Sequence, residues 1–335
     1  MRDARPCKDM KSDLKTDLAR IAAFFENAFE AVLPERERGP AGVEPYVGYS
    51  TPDSLVVRGR VLALKGDVEE ERAGSRWENF QSMARLFDTD EMAGVRVVAD
   101  GAEARSDEEG YFTLELPRGG TGDWTDIAVT LPEHGVEVTC PVRVTPLAAR
   151  HGVISDIDDT LILTEAWSLR RNLWNSLTGS EGERHVFPDA VRLLERMDGA
   201  PVFYVSSSPW NLHGFLSRIF ARAGLPRAPK FLRDLGLGSD QLITPVSGHH
   251  GHKGDSLDTI FAANPDLTFT LMGDTGQHDA QVYHAAIERH PDRIERVILR
   301  AAEPVLGEDD HAAIAALRAT NAQIDVVRNY AELAD

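Results

Sequence analysis

The sequence predicts an α/β protein: a doubly wound parallel sheet without a large cap, preceded by a smaller antiparallel β-sandwich domain and an N-terminal helix. Strand and helix patterns alternate after residue 149, strand patterns separated by turn residues dominate residues 46–148, and a helical repeat lies near the amino terminus. At 335 residues the chain is also too long for one ordinary hydrophobic core. We therefore expect three parts: residues 1–45, 46–148 and 149–335.

The first part combines an amphipathic helix with a linker. Apolar residues recur at helical spacing between Lys11 and Leu33, and Pro34 ends the pattern. The stretch from Pro34 to Pro45 is rich in proline, glycine and charge, which is typical of a linker. We expect the helix to pack on the β-domain or on a partner subunit. Binding at a membrane surface is the less favoured alternative, because the polar face of the helix carries few lysines.

The second part has the short, regularly spaced strands of an antiparallel sandwich. The strand patterns are Leu55–Leu64, Val95–Ala99, Tyr111–Leu116, Ile127–Leu131 and Val136–Val144. A helical insertion is expected at Trp77–Phe87. The stretch 94–117 resembles small prealbumin-like or carboxypeptidase-regulatory β-sandwiches. No catalytic cluster occurs here, so we expect a binding or scaffolding role.

The third part alternates strands with helices, which predicts a parallel sheet with its ligand at the carboxyl ends of the strands. The predicted strands are 153–157, 201–205, 267–272, 295–299 and 324–327, and the predicted helices include 188–197, 210–223, 278–290 and 309–320. The stretch Trp167–Gly182 remains unassigned; it is apolar and locally basic. Packing onto the domain is favoured for this stretch, and contact with substrate is the alternative.

Two carboxylates and a hydroxyl follow the first of these strands in the order D-x-D-x-T. Asp156, Asp158 and Thr160 lie at the end of the apolar run VISDIDDTLI. One carboxylate could attack phosphorus while the second passes a proton to or from the leaving group. Mg²⁺ would be needed because neighbouring carboxylates repel each other and the phosphate. Acidic turns beside strands are common, so this motif alone also fits a structural role.

Three later segments carry the other groups that this chemistry needs. Ser206 and Ser207 follow the strand PVFYV, and their hydroxyl and N–H groups could bind phosphate, as could the Thr160 hydroxyl. Lys253, in HKGDSL, could neutralise the nucleophile and the phosphate. Asp274, in GDTGQHD, adds a side-chain metal ligand.

Each of these residues also has a structural interpretation. Ser206–Ser208 could simply cap the helix that follows, and a lysine such as Lys253 is ordinarily a solvated surface residue. The closely spaced His249, His250 and His252 invite a zinc site. A polar active-site loop is favoured for them, because no nearby cysteine or alternative set of carboxylates completes a tetrahedral site.

The segments DIDDT, VSSS, the lysine and GDTGQHD resemble motifs one to four of the haloacid dehalogenase superfamily, which has a Rossmann-like fold. The longer strings FYVSSSPWNL, FLRDLG, HKGDSL and LMGDTGQHDAQVY, with the trailing RVILR, are similar to the catalytic domain of Mg²⁺-dependent phosphatidate phosphatases of the actin-patch-protein type. This similarity extends from about Gly152 to Tyr330.

The resemblance implies a role for each motif residue. Asp156 would be the nucleophile and a metal ligand, Asp158 the general acid/base and a metal ligand through its backbone carbonyl, and Ser206 the phosphate-binding hydroxyl. Lys253 would be the bridging cation and Asp274 a metal ligand. Asp279 would support the metal site without direct ligation.

Composition limits the partners and the compartment. The formal net charge of −18 argues against nucleic acid and against broad docking on anionic membranes. The two cysteines, Cys7 and Cys140, are too few for a disulfide framework, so a reducing compartment is expected. No signal peptide or apolar run of 18 residues is apparent. We expect a cytoplasmic enzyme, with peripheral membrane contact left open and oligomeric state not predicted.

The sequence thus predicts a Mg²⁺-dependent phosphomonoesterase that works through an aspartyl-phosphate on Asp156. Phosphatidate is the substrate that the resemblance implies. The alternatives are a phosphatase of a soluble ester (a sugar, nucleotide or phosphoprotein) and a non-catalytic adaptor that uses the β-domain.

Overall fold

A computed structural model describes residues 39–64, 91–119, 122–163, 186–197, 199–233, 251–301 and 307–333. The predicted N-terminal helix, the helical insertion Trp77–Phe87, the stretch Trp167–Gly182, and His249 and His250 lie outside these residues. The described residues from Pro40 onward belong to one compact unit and form two sheets. No helix among them is long and apolar enough to cross a membrane.

The first sheet has seven strands in the order β4-β3-β6-β7-β1-β2-β5. They are β1 (Ala41–Ser50), β2 (Ser54–Ala63), β3 (Arg96–Ala99), β4 (Ala102–Arg105), β5 (Tyr111–Pro117), β6 (Trp124–Leu131) and β7 (Val136–Arg143). All neighbouring strands are antiparallel except β1 and β7, which pair in parallel. In β5, Phe112, Leu114 and Leu116 are buried and the residues between them are exposed, as a strand with one solvated face requires.

This part of the chain forms one sheet and not the two packed sheets of the expected sandwich. A single sheet curves around one core, and the edge strands β4 and β5 lie beside each other, so the sheet is nearly closed. Strand β1 begins at Ala41, inside the stretch predicted as a linker, and β4 was not predicted either. Glycine and proline weaken the local signal of β1, which is held by pairing with β2 in the register Ala41 to Ala63.

The second sheet confirms the predicted doubly wound architecture. Its order is β10-β9-β8-β11-β12-β13, and every neighbouring pair is parallel. The strands are β8 (His151–Asp156), β9 (Val202–Pro209), β10 (Lys230–Arg233), β11 (Thr268–Asp274), β12 (Ile294–Arg300) and β13 (Gln323–Val327). The sequence did not predict β10, which has only four residues.

Helices cover both faces of this sheet. Helices α1 (Pro188–Arg196) and α2 (His213–Ala223) pack on one face, and α3 (Gly251–Ala263), α4 (Asp279–Arg289) and α5 (Glu308–Arg318) pack on the other. The chain runs outward from β8 to β10 and then crosses back to β11, so the strand order reverses beside β8. In such sheets the ligand binds at the carboxyl ends of the strands flanking this point.

The first sheet braces the segment that follows β9. The Tyr46 ring stacks on Trp210 with 4.6 Å between ring centroids and 14° between planes. The Arg60 guanidinium is buried and donates from Nη1 to Asn211 Oδ1 (2.9 Å). Trp210 and Asn211 belong to a short 3₁₀ turn that connects β9 to α2. The β-domain therefore contacts the segment directly after Ser206–Ser208.

Candidate active site

Asp156 is the last residue of β8 and is 1% exposed. Lys253 Nζ lies 2.7 Å from its Oδ1 as an ion pair, whereas Oδ2 has no hydrogen-bond partner among the described residues. Burial raises the pKa of Asp156 well above its ordinary value, the neighbouring carboxylates raise it further, and Lys253 opposes them. The carboxylate predicted to attack phosphorus thus presents one oxygen that nothing in the described chain satisfies.

Lys253 enters from the first turn of α3 and bridges two carboxylates. Its Nζ lies 2.7 Å from Asp156 Oδ1 and 2.5 Å from Asp279 Oδ1. Burial works against the charged form, but the two carboxylates outweigh it and raise the pKa of Lys253 above its ordinary value. The lysine is 8% exposed, so it is not the solvated surface residue that its type alone would suggest.

Asp274 and Asp279 come from the end of β11 and the start of α4. The Gly276 N–H donates to Asp274 Oδ1 (2.5 Å), and the Asp274 N–H donates to Asp279 Oδ2 (3.2 Å). Gly273 makes this approach possible, because a Cβ at that position would lie 2.6 Å from Asp279 Oδ2. Both oxygens of Asp279 are therefore engaged, whereas Asp274 Oδ2 has no hydrogen-bond partner within the described parts of the chain.

Asp156, Asp274 and Asp279 form a buried group that could hold a metal ion. Each can offer an oxygen such that the three atoms lie within 4.8 Å of one another. Burial, followed by the charge of Asp279, raises the pKa of Asp274 to about 8. The unpaired Asp274 Oδ2, together with one carboxylate oxygen of Asp156, suits a hard cation with oxygen ligands. Asp279, with both oxygens engaged, fits the predicted supporting position.

Asp158 lies in the loop after β8 and is held by two serines. Its Oδ2 accepts hydrogen bonds from Ser206 Oγ (2.7 Å) and Ser208 Oγ (2.9 Å). The Ser208 N–H donates in turn to Ser206 Oγ (2.9 Å). Ser207 is exposed and takes no part in this network. Ser208 was predicted only as part of a possible helix cap, although its spacing of two from Ser206 places both on one face of β9.

The loop after Asp158 is shaped by further contacts. Asp159 adopts a left-handed conformation (φ 56°), which aspartate tolerates better than most residues. The Asp158 carbonyl, predicted to face the metal, accepts a hydrogen bond from Gln277 Nε2 (3.1 Å). The Thr160 hydroxyl is buried and has no hydrogen-bond partner among the residues described. Gln277 lies inside the GDTGQHD motif, but no sequence signal gave it a role.

Arg300, the last residue of RVILR, supports this loop from the end of β12. Its Nη2 donates to the buried Asp189 Oδ2 (2.9 Å), and its Nε donates to the Thr160 carbonyl (3.3 Å). The guanidinium carbon lies 4.0 Å from the ring centroids of both Phe187 and Tyr330. Arg300 therefore ties the loop after β8 to the first turn of α1.

His252 is the one described residue of the histidine cluster. It lies beside Lys253 on α3, and its Nε2 is 3.4 Å from the Phe231 carbonyl oxygen. Burial lowers its pKa. Among the described residues, Asp156, Asp274 and Asp279 are the ones that could share a metal ion, and His252 does not belong to this group.

The four motifs thus meet at the carboxyl ends of β8, β9 and β11, where the sequence placed them. Residues 151–301 match the family model of the phosphatidate phosphatase APP1 catalytic domain. This match confirms the resemblance to that catalytic domain. It covers the motif residues from Asp156 to Asp279 and leaves the β-domain outside.

Curated relatives match part of this chain at low identity. An uncharacterized protein of Schizosaccharomyces pombe is 26% identical over 230 residues, which cover 65% of this chain and 37% of that protein. The phosphatidate phosphatase APP1 of Saccharomyces cerevisiae is 27% identical over 192 residues, covering 56% of this chain and 30% of that protein. This chain therefore spans only about a third of the length of these relatives.

The similarity to solved structures is low. A chain from the Pnkp1/Rnl/Hen1 complex has a TM-score of 0.29 and 13% sequence identity, and the match covers 51% of this chain and 55% of that one.

Proposed function

We propose that this chain is a Mg²⁺-dependent phosphomonoesterase that forms an aspartyl-phosphate on Asp156, with phosphatidate as its substrate. The observation that carries the proposal is the state of the Asp156 carboxylate. Lys253 pairs with Oδ1, and Oδ2 has no partner in the described chain although the residue is buried. An oxygen kept free beside a fixed cation is poised to attack an electrophile.

The residues present can carry both halves of the reaction. Asp156 Oδ2 attacks phosphorus, and the bond from phosphorus to the leaving oxygen breaks. Asp158 gives a proton to that oxygen as the general acid; Ser206 and Ser208 occupy its Oδ2, so Oδ1 is the atom that exchanges the proton. In the second half Asp158 takes a proton from water, and the water oxygen attacks phosphorus. Phosphate leaves, and the Asp156 carboxylate is restored.

The donor set fits Mg²⁺, and Asp156, Asp274 and the carbonyl of Asp158 would hold it. A carbonyl oxygen has two lone pairs, so the hydrogen bond from Gln277 does not by itself bar that role. Bound Mg²⁺ would offset the charge of the carboxylates and of the substrate phosphate. Asp279 keeps Lys253 beside Asp156, which places a second positive charge where the phosphate arrives.

The match over residues 151–301 supports phosphatidate as the substrate, and the resemblance to the haloacid dehalogenase superfamily supports the covalent mechanism. The buried carboxylates and the Lys253 ammonium support binding of a metal ion and a phosphate group. The choice between a lipid ester and a soluble ester therefore rests on the family match, and an experiment can decide it.

The test compares Mg²⁺-dependent phosphate release from phosphatidate in mixed micelles with release from a panel of sugar, nucleotide and protein phosphates. We expect the highest kcat/KM with phosphatidate, no turnover in EDTA, and loss of turnover in Asp156→Asn. Asp255→Asn is the matched control, because Asp255 is an exposed aspartate on α3. Faster hydrolysis of a soluble ester would contradict the lipid substrate alone. No hydrolysis of any ester would contradict the enzymatic function and favour the adaptor.

A further inference from the structure

A cavity of about 410 Å³ lies between the β-domain and the domain that contains the parallel sheet. No residue of the four active-site motifs lines it. Strands β1 and β7 form one wall, and α2 with the segment leading into β10 forms the other. Its lining includes Glu44, Val47, Ser217, Phe220, Arg227 and Lys230. The apolar share of the wall gives room for the hydrocarbon part of a small molecule.

Lys230 is a buried cation without a counter-ion among the described residues. It is 5% exposed, its Nζ donates to Ser217 Oγ (3.0 Å), and Nζ lies 5.3 Å from the Phe220 ring centroid. No carboxylate within the described ranges forms an ion pair with it. Burial, followed by the nearby charge of Arg227, lowers the pKa of Lys230 to about 8. Buried lysines are ordinarily paired, because an unpaired charge removed from water is destabilising.

The other charged residues of the cavity leave it positive. The Arg227 guanidinium lies 5.1 Å from the Trp124 ring centroid and forms no ion pair with a carboxylate in the described parts of the chain. Glu44, the one carboxylate among the described lining residues, lies 3.2 Å from His213 Nδ1. In a chain with a formal net charge of −18, two cations on one cavity wall thus have no carboxylate partner in the part that the structure describes.

We propose that this cavity binds a small organic anion, with its carboxylate or phosphate group at Lys230 and Arg227 and its hydrocarbon part against Val47 and Phe220. The anion supplies the negative charge that the lysine lacks, and charge-assisted hydrogen bonds from Lys230 and Arg227 fix its head group. The site is separate from Asp156 and does not depend on phosphatase activity. Because it lies between two domains, its occupant also links the β-domain to α2.

Isothermal titration of the whole chain in EDTA tests the site, with sodium octanoate and inorganic phosphate as the probes and octan-1-ol as the neutral control. We expect one octanoate per chain and no comparable binding of octan-1-ol. Binding of phosphate with the same dependence on Lys230 would indicate a phosphate head group, and binding of octanoate alone would indicate a carboxylate.

The variant Lys230→Met should weaken octanoate binding by at least about tenfold, because a hydrogen bond to a charged group is lost. Methionine matches the lysine in size and removes the buried charge, so the fold should persist; melting temperature checks this. Arg227→Gln changes an exposed side chain and should also weaken octanoate binding. Arg96→Gln on β3 is the control: it removes the same charge away from the cavity and should leave octanoate binding unchanged. Absence of binding to either anion, or unchanged affinity in Lys230→Met and Arg227→Gln, would overturn the proposal.

Discussion

Replacing Lys253 by methionine perturbs the electrostatic balance of the site most directly. The ammonium lies 2.7 Å from Asp156 and 2.5 Å from Asp279, and all three side chains are at least nine-tenths buried. The variant keeps a side chain of similar length but leaves two buried carboxylates without their shared cation. Removing one partner of a buried ion pair destabilises a protein by about 3–5 kcal/mol, and we expect a loss in that range.

A double-mutant cycle separates this effect from lost packing. Asp279→Asn removes one of the two negative charges and keeps a side chain of the same shape. In the double variant with Lys253→Met, only the Asp156 charge remains unpaired, so the combined loss should be smaller than the sum of the single losses by about 1–3 kcal/mol. Urea unfolding at pH 7 in EDTA measures these free energies. The exposed control Asp255→Asn should stay within about 0.5 kcal/mol of the wild type.

The loss in Lys253→Met should also depend on pH. Burial raises the pKa of Asp156, so its protonated form stabilises the folded state at low pH, and this contribution is lost as pH rises through the folded-state pKa. In the variant, Lys253 no longer opposes this increase, so the pKa of Asp156 should be higher than in the wild type. The deficit of the variant relative to wild type should therefore shrink as pH falls through the folded-state pKa that Asp156 has in the wild type. This electrostatic reasoning would be refuted if Lys253→Met lost less than about 1 kcal/mol and if the losses of Lys253→Met and Asp279→Asn simply added in the double variant.

Three further predictions follow from the site and its supports. In metal-free protein, the raised pKa of Asp274 (about 8) means that the stability from its protonated form is complete below about pH 4 and is lost as pH rises through 8. Added Mg²⁺ should therefore raise the melting temperature more at pH 8 than at pH 5, and an increase independent of pH would argue against this site. Arg300→Met leaves the buried Asp189 without its cation and should lower the free energy of unfolding in urea by about 3–5 kcal/mol. Adding Asp189→Asn should restore part of that loss. Unchanged stability in Arg300→Met would show that the ion pair is dispensable. Tyr46→Leu removes the ring stacked on Trp210, so we expect the free energy of unfolding to fall by about 0.5–1.5 kcal/mol and phosphate release to slow. Wild-type values for both would mean that the β-domain does not brace the turn after β9.

The sequence predicted the parallel sheet because its strands and helices follow local patterns, and the site remains a prediction that rests on the ends of those strands. Each motif follows an apolar run, and parallel strands bring their carboxyl ends to one edge, so Asp156, Ser206 and Asp274 were expected to meet. Lys253 could be placed only by its order between two motifs. Its double contact with Asp156 and Asp279 depends on how α3 and α4 pack, which spacing alone does not determine.

The residues that the sequence did not single out act through long-range contacts. Ser208 becomes relevant because the loop after β8 brings Asp158 within 2.9 Å of it. Arg300 becomes relevant because β12 lies where the arginine can reach both Asp189 and the Thr160 carbonyl. Strand β1 was not predicted for a similar reason: its ladder with β2, and not its own composition, gives it an extended conformation.

The identity of the phosphorylated residue tests the central claim most directly. The enzyme would be mixed with ³²P-labelled phosphatidate and Mg²⁺, quenched in acid during turnover, digested and mapped by mass spectrometry. The account predicts an acid-stable, hydroxylamine-labile label on the peptide that contains Asp156, and no label in Asp156→Asn. Turnover without any labelled peptide, or a label that persists in Asp156→Asn, would contradict it.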